Sequence, residues 1–264
     1  PLGEEEIAKF KTCGAECGLP VVAHGSYLIN LASPKEDIWR KSVDAYLIEM
    51  DRCRALGIRY LVLHPGAHTG SGVEAGIARL VEAIDHEHAS ADDSAMLLLE
   101  VTAGTGTTLG HDIDQFVEVL SRVRHPERLG ICFDTCHAIG AGWDITTEEG
   151  YADVMARLDR EIGLDRVRCI HLNDSQHPVG SRRDRHAHIG LGSAGLGTFR
   201  RLLNDPRFAG IPMVLETPKD DEMAQDRVNL RVLRGLLAGA ESPVTEADLD
   251  RLWEGVERTP GKDE

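Results

Sequence analysis

Residues 130–142, GICFDTCHAIGAG, begin as a short apolar strand and then change character at Asp134, Cys136 and His137. A carboxylate and an imidazole three residues apart at the mouth of a strand are costly to desolvate unless something binds them. The same ending recurs along the chain. His24 in PVVAHGSYLIN (20–30), His64 in RYLVLHPG (59–66), Glu100 in MLLLEVT (96–102), Asp134 in LGICFDT (129–135), His171 in VRCIHLND (167–174) and Glu216 in IPMVLET (211–217) lie at or near the C-terminal side of their runs. His137 follows Asp134, and HLNDSQHPVGSRRDRHAHIG adds Asp184 and His186. Five imidazoles and four carboxylates suit zinc, with manganese or iron as alternatives, and need no thiolate. Nine donors are too many for one tetrahedral ion but fit a cluster with a bridging carboxylate.

Such donors must be carried by a repeating scaffold. The six apolar runs alternate with segments of helical period such as KEDIWRKSVDAYLIEMDRCRALG and TTEEGYADVMARLDREIGL. Strands buried on both faces and separated by helices indicate parallel βα units. In a (β/α)8 TIM barrel, the C-terminal strand ends are where active sites sit. Six strands fall short of the eight of a closed barrel, and EEEIAKFKTCGAECG near the start already reads as a helix. The expectation is therefore a barrel lacking its first two strands, preceded by a leading segment, with this chain poorly soluble or weakly active beside a completed one. Residues 1–240 read as one barrel domain, and residues 241–264 as a peripheral amphipathic helix with a frayed end, VERTPGKDE.

The composition narrows the class. The 264 residues carry a net charge of −15, which argues against a surface coated for nucleic acid but leaves room for a local basic patch or a metal cluster. No apolar stretch reaches the length of about 18 residues that a membrane span requires. The six cysteines are scattered without a CxxC pair, as free thiols of a reducing cytoplasm would be. A cytoplasmic monomer is expected.

Several patterns have plainer readings. GLGSAG (190–195) matches GxGxxG, but DRHAHI before it does not read as a buried strand, so no dinucleotide site is expected. HEH (86–88) reads as surface residues in an acidic loop at a helix end. His188 is an alternative to His186 as a ligand, and His68 and His111 are open as supports for neighbouring ligands. Cys132 shares strand parity with Asp134 and reads as a small buried thiol rather than a ligand. Tyr27, on residue type alone, reads as a half-buried loop aromatic.

The motifs HGSYLIN, HPG, LLLEVTAGTGTTLG, GICFDTCH, HLNDS with GSRRDRH, and IPMVLETPK, taken in order, resemble the endonuclease IV family of abasic-site endonucleases over about residues 1–240. The resemblance implies a metal-dependent TIM barrel with three zinc ions that incises double-stranded DNA on the 5′ side of an abasic site, leaving a 3′-hydroxyl and a 5′-deoxyribose phosphate. It assigns His24, His64 and Glu100 to a first ion, with Glu100 bridging to a second that Asp134, His171 and Glu216 complete. His137, Asp184 and His186 would hold the third. Glu100, Asp134 and Glu216 would be the catalytic carboxylates, around a metal-activated hydroxide. The resemblance also places Tyr27 and Leu28 at the lesion. Arg182, Arg183, Arg185 and Lys219 lie in loops at the same mouth and are candidates for phosphate contacts. Blocked 3′ ends are a further substrate class. The alternatives are a divalent-metal sugar isomerase or epimerase of the same barrel superfamily, and a non-catalytic relative that binds abasic DNA.

Overall fold

The computed structural model describes residues 2–90 and 94–256. Helix α1 (Glu4–Cys17) leads into strand β1 (Val22–His24), followed by α2 (Glu36–Leu56), β2 (Tyr60–Leu63), α3 (Val73–Ser90), β3 (Met96–Glu100), α4 (Ile113–Arg122) and β4 (Leu129–Asp134). Next come α5 (Thr135–Ala141), α6 (Glu148–Glu161), β5 (Val167–His171), the short strands β6 (Asp174–Ser175) and β7 (His186–Ala187), α7 (Gly195–Leu203), β8 (Met213–Val214), α8 (Ala224–Leu236) and α9 (Leu249–Leu252). One sheet has the order β1-β2-β3-β4-β5-β8, with β1–β2, β2–β3, β3–β4 and β5–β8 paired parallel; β6 and β7 pair antiparallel. All six expected strands are present, in an α/β sheet of TIM-barrel type. Their extents are shorter than the apolar runs: β1 and β8 span only three and two residues.

The chain forms two compact units. The first comprises residues 1–101, 106–132 and 166–169, the second 102–105, 133–165 and 170–264. In the first, Val62, Leu98, Cys132 and Cys169 form one cluster, flanked by Val22, Tyr60 and Met96. The alternate residues Leu61, Leu63, Leu97, Leu99 and Ile131 are buried as well. Burial of both parities is what a parallel sheet covered on both faces requires. Cys132 thus packs as a small apolar side chain, as expected. Gly130 is small for a steric reason: a Cβ there would lie 2.6 Å from Leu98 Cδ2 and 3.1 Å from the Arg166 carbonyl.

The HEH segment departs from its reading. It lies within α3, and Glu87 and His88 are buried. Glu87 pairs with Arg54, and Arg128 Nη2 stands 3.7 Å from its other oxygen. Arg128 Nη1 donates to the His88 carbonyl at 3.0 Å. The arginines, far away in sequence, are what make this carboxylate tolerable in the interior. Burial, reinforced by the Arg128 charge, lowers His88 to about 4, against the opposing charges of Asp85 and Glu127. The unfolded imidazole titrates near 6.5, so between pH 6.5 and 4 the unfolded state binds the proton that the folded state refuses. Stability is expected to fall across that window by up to about 3 kcal/mol. His88→Gln should remove that part of the acid slope, measured as urea midpoints at pH 7, 5.5 and 4.5; an unchanged slope would refute it.

In the second unit, Phe199, Leu202, Met155 and Trp253 are buried. Trp253 lies against His188 with ring centroids 4.4 Å apart. The end of the VERTPGKDE tail lies outside the described residues. Among the described residues, no helix is long and apolar enough to cross a membrane.

Candidate metal centre

The first unit presents His24, His64 and Glu100. His24 and Glu100 are the last residues of β1 and β3, and His64 immediately follows β2. Parallel register aligns these ends: Val22 pairs with Tyr60 and Tyr60 with Met96. Glu100 is fully buried, while the histidine side chains are 32% and 36% exposed. His24 Nε2 lies 2.9 Å and His64 Nε2 3.3 Å from the same oxygen, Glu100 Oε2. His24 Nδ1 is 2.7 Å from the Gly25 carbonyl, which can only accept, so that nitrogen carries the proton. In the neutral ring Nε2 would then be the unprotonated nitrogen, 2.9 Å from a carboxylate oxygen. That arrangement fits a cation between the two groups. The three ligand atoms lie within 4.8 Å of one another.

The second unit presents the other six. Asp134 ends β4 and caps α5, its Oδ1 accepting from His137 N at 2.7 Å. His171 ends β5, and its Nδ1 stands 3.0 Å from Glu216 Oε2 and 3.6 Å from Asp134 Oδ2. Glu216 lies two residues beyond β8, in a loop. His137 Nε2 is 3.0 Å from Asp184 Oδ2, and His186 Nε2 is 3.5 Å from Asp184 Oδ1 and 3.9 Å from Asp134 Oδ2. His186 Nδ1 donates to the Glu216 carbonyl at 3.0 Å, which leaves Nε2 as its candidate ligand atom; that nitrogen is buried and makes no hydrogen bond. Asp134, His137 and His186 form one compact donor group. The donors fit a borderline-soft divalent cation.

The residues left open take distinct places. His188 stacks on Trp253 and approaches Asn229 Nδ2 at 3.1 Å, so His186, not His188, faces the carboxylates. His68 Nδ1 accepts from Gly70 N and Gly72 N, and His111 Nδ1 binds the Thr108 carbonyl, so both shape loops. Tyr27 and Leu28 are 84% and 73% exposed, too open for the half-buried reading of Tyr27. Thr105, His177, Arg182, Arg183, Asp184 and Arg185 line one recess. Within it Arg182 adopts a left-handed backbone (φ 53°), held by Gly140 O and Thr105 Oγ1 at 2.9 and 3.1 Å. Strain of this kind costs about 1–3 kcal/mol and collects at functional sites. Lys219 is exposed.

Sequence reasoning missed the residues that hold the candidate ligands in place. Asn173 is fully buried; its Nδ2 donates to Asp134 Oδ2 at 2.6 Å, and its Oδ1 accepts from Glu216 N at 2.8 Å. Thr135 Oγ1 accepts from Asn173 N at 2.8 Å and donates to Asn173 O at 2.6 Å. Cys136 Sγ shares a donor group with Asp184 and His186, yet burial, helped by the nearby Asp134 charge, pushes its thiol up to about 12. The available signal was a polar run, HLND, continuing where a strand should have ended. Asn173→Ala is expected to lower metal affinity about 10–100-fold while the far-UV spectrum is kept. Wild-type zinc retention during dialysis would refute that role.

Strand order, parallel pairing and donors at the strand ends define a xylose-isomerase-like barrel, and the family model described as "Xylose isomerase-like TIM barrel" matches residues 1–236. The chain is 52% identical over 243 residues to the probable endonuclease 4 of Chloroflexus aurantiacus, covering 91% of this chain and 85% of the relative. It is 48% identical over 236 residues to that of Geobacter sulfurreducens, covering 89% and 80%. Endonuclease IV from Thermus thermophilus superposes with a TM-score of 0.77 at 36% identity, covering 89% of this chain and 82% of that one. The chain belongs to the endonuclease IV family.

Proposed function

We propose that the chain is a zinc-dependent endonuclease that hydrolyses the phosphodiester 5′ to an abasic site in double-stranded DNA, leaving a 3′-hydroxyl and a 5′-deoxyribose phosphate. The observation that carries this reading is the set of histidine and carboxylate groups at the strand ends, together with relatives named endonuclease 4 at about half identity. His24, His64 and Glu100 hold one ion; Asp134, His171 and Glu216 a second; His137, Asp184 and His186 a third, with manganese able to replace zinc at one or more sites. When bound, such ions lower the pKa of water and offset charge on the phosphate and leaving oxygen.

The protein's own groups do the rest. Glu100, Asp134 and Glu216 supply the negative charge that keeps cations in place, and Asn173 fixes the orientation of Asp134 and Glu216. His24 and His186 are turned ligand-side out by the carbonyls at Gly25 and Glu216. Tyr27 and Leu28, exposed in the loop after β1, enter the DNA at the lesion. Arg182 and Arg185 meet phosphates, the contacts that position a duplex without reading its sequence. The same centre serves blocked 3′ ends. The protein works as a monomer in the reducing cytoplasm, which suits its six free cysteines.

The test is nicking of a duplex with one tetrahydrofuran abasic analogue, with zinc and with chelator. Cutting 5′ to the lesion, to a 3′ end that a polymerase extends, is expected only with metal. Metal binding without cutting would overturn the nuclease reading and favour a non-catalytic abasic-DNA binder. The isomerase or epimerase alternative shares the fold, and no other observation favours it.

A further inference from the structure

GLGSAG, set aside as a dinucleotide loop, has an occupant inside the protein. Asp174, on β6, is fully buried. Its Oδ1 accepts from Ser175 N and Ala194 N at 2.8 and 2.9 Å, and its Oδ2 from Gly190 N and Gly192 N at 2.9 and 3.1 Å. Three of these four donors belong to the glycine-rich run. Gly192 has no room for a side chain, because a Cβ would collide with Asp174 Oδ1 and the Ser175 carbonyl. The run is therefore an anion nest whose anion is a side chain of the same chain. Only the two-residue β7, with His186 half-buried, precedes the run, so no buried strand of dinucleotide-fold type leads into it.

The nest clamps the ligand loop from both sides. β6 pairs with β7, with Ser175 opposite His186 and Asp174 opposite Ala187. Gln176 N donates to Arg185 O at 3.0 Å, and Gln176 Nε2 to His186 O at 2.9 Å. Ser193 N donates to Ser175 O at 2.8 Å. The chain thus leaves β6, returns through Asp184 and His186, and is caught again at residues 190–194 by the carboxylate it started from. We propose that Asp174 is the positioning residue of Asp184 and His186, and that the GLGSAG run is its receptor. This rests on the metal-centre reading above and extends it to residues outside the donor set.

The test compares wild type, Asp174→Asn and Gly192→Ala by zinc per chain after dialysis at fixed free zinc, by the visible absorption of bound cobalt, and by nicking. An amide at residue 174 must turn its NH2 toward two of the four N–H donors. Asp174→Asn is expected to lose about one ion per chain, with affinity for that ion about 10–100-fold weaker. Nicking should fall in parallel and recover as zinc is raised. Gly192→Ala should show the same change, and it decides the matter should Asp174→Asn not fold. Full zinc content, an unchanged cobalt spectrum and wild-type zinc dependence, with only a lower Tm, would overturn the proposal. If wild type binds zinc but does not nick, the nuclease reading fails, while loss of an ion in Asp174→Asn still upholds the positioning role.

Discussion

Glu100→Gln lowers abasic-site nicking by at least about a thousand-fold, beyond the ten- to hundred-fold cost of disturbing a ligand's support. Both His24 Nε2 and His64 Nε2 approach one oxygen of this carboxylate, at 2.9 and 3.3 Å. Glutamine keeps the shape and removes the charge. Its NH2 can donate to the histidine lone pairs, which leaves them satisfied without a cation. The variant should therefore fold, with an unchanged circular dichroism spectrum and a metal-free Tm equal to or above that of wild type. It should carry less zinc, measured by mass spectrometry after dialysis. Activity within tenfold of wild type would remove Glu100 from the centre.

Stripping the metal is expected to cost both activity and stability. Glu100 and Asp134 are fully buried carboxylates with imidazole nitrogens beside them, His24 Nε2 at 2.9 Å and His171 Nδ1 at 3.6 Å. Bound cations would add to the hydrogen bonds and imidazoles that already offset these charges, and their loss would shift that burden onto the histidines. A site saturated a thousand-fold above its Kd contributes about 4 kcal/mol, which for a chain of this size corresponds to a Tm shift of roughly 8–16 °C. Chelation should abolish nicking and produce a shift of that order, and zinc should restore both. Magnesium should not, because imidazole-rich donors disfavour it. Equal melting and equal nicking in chelator would sink the metal assignment.

Much of the candidate donor set was legible because residue type is a property of the chain alone. A parallel strand ends where its apolar run ends, and His24, Glu100, Asp134 and His171 close four such strands. The supports were harder to see. Asn173 matters because β5 delivers it beside Asp134, 39 residues earlier, and nothing in HLND announces that. Glu87 and His88 were misread because the arginines that admit them to the interior, Arg54 and Arg128, come from distant segments.

The sequence by itself determined the element order, the parallel α/β class and the succession of nine candidate donors, since hydrophobic period and side-chain chemistry are local. Tertiary structure alone decided which atoms meet. Only there does His186 rather than His188 face Asp134, because the Glu216 carbonyl turns one ring and Trp253 takes the other. Only there does a run of glycines close on Asp174, because hydrogen bonds between residues 16 to 20 apart form when the backbone has already been brought together.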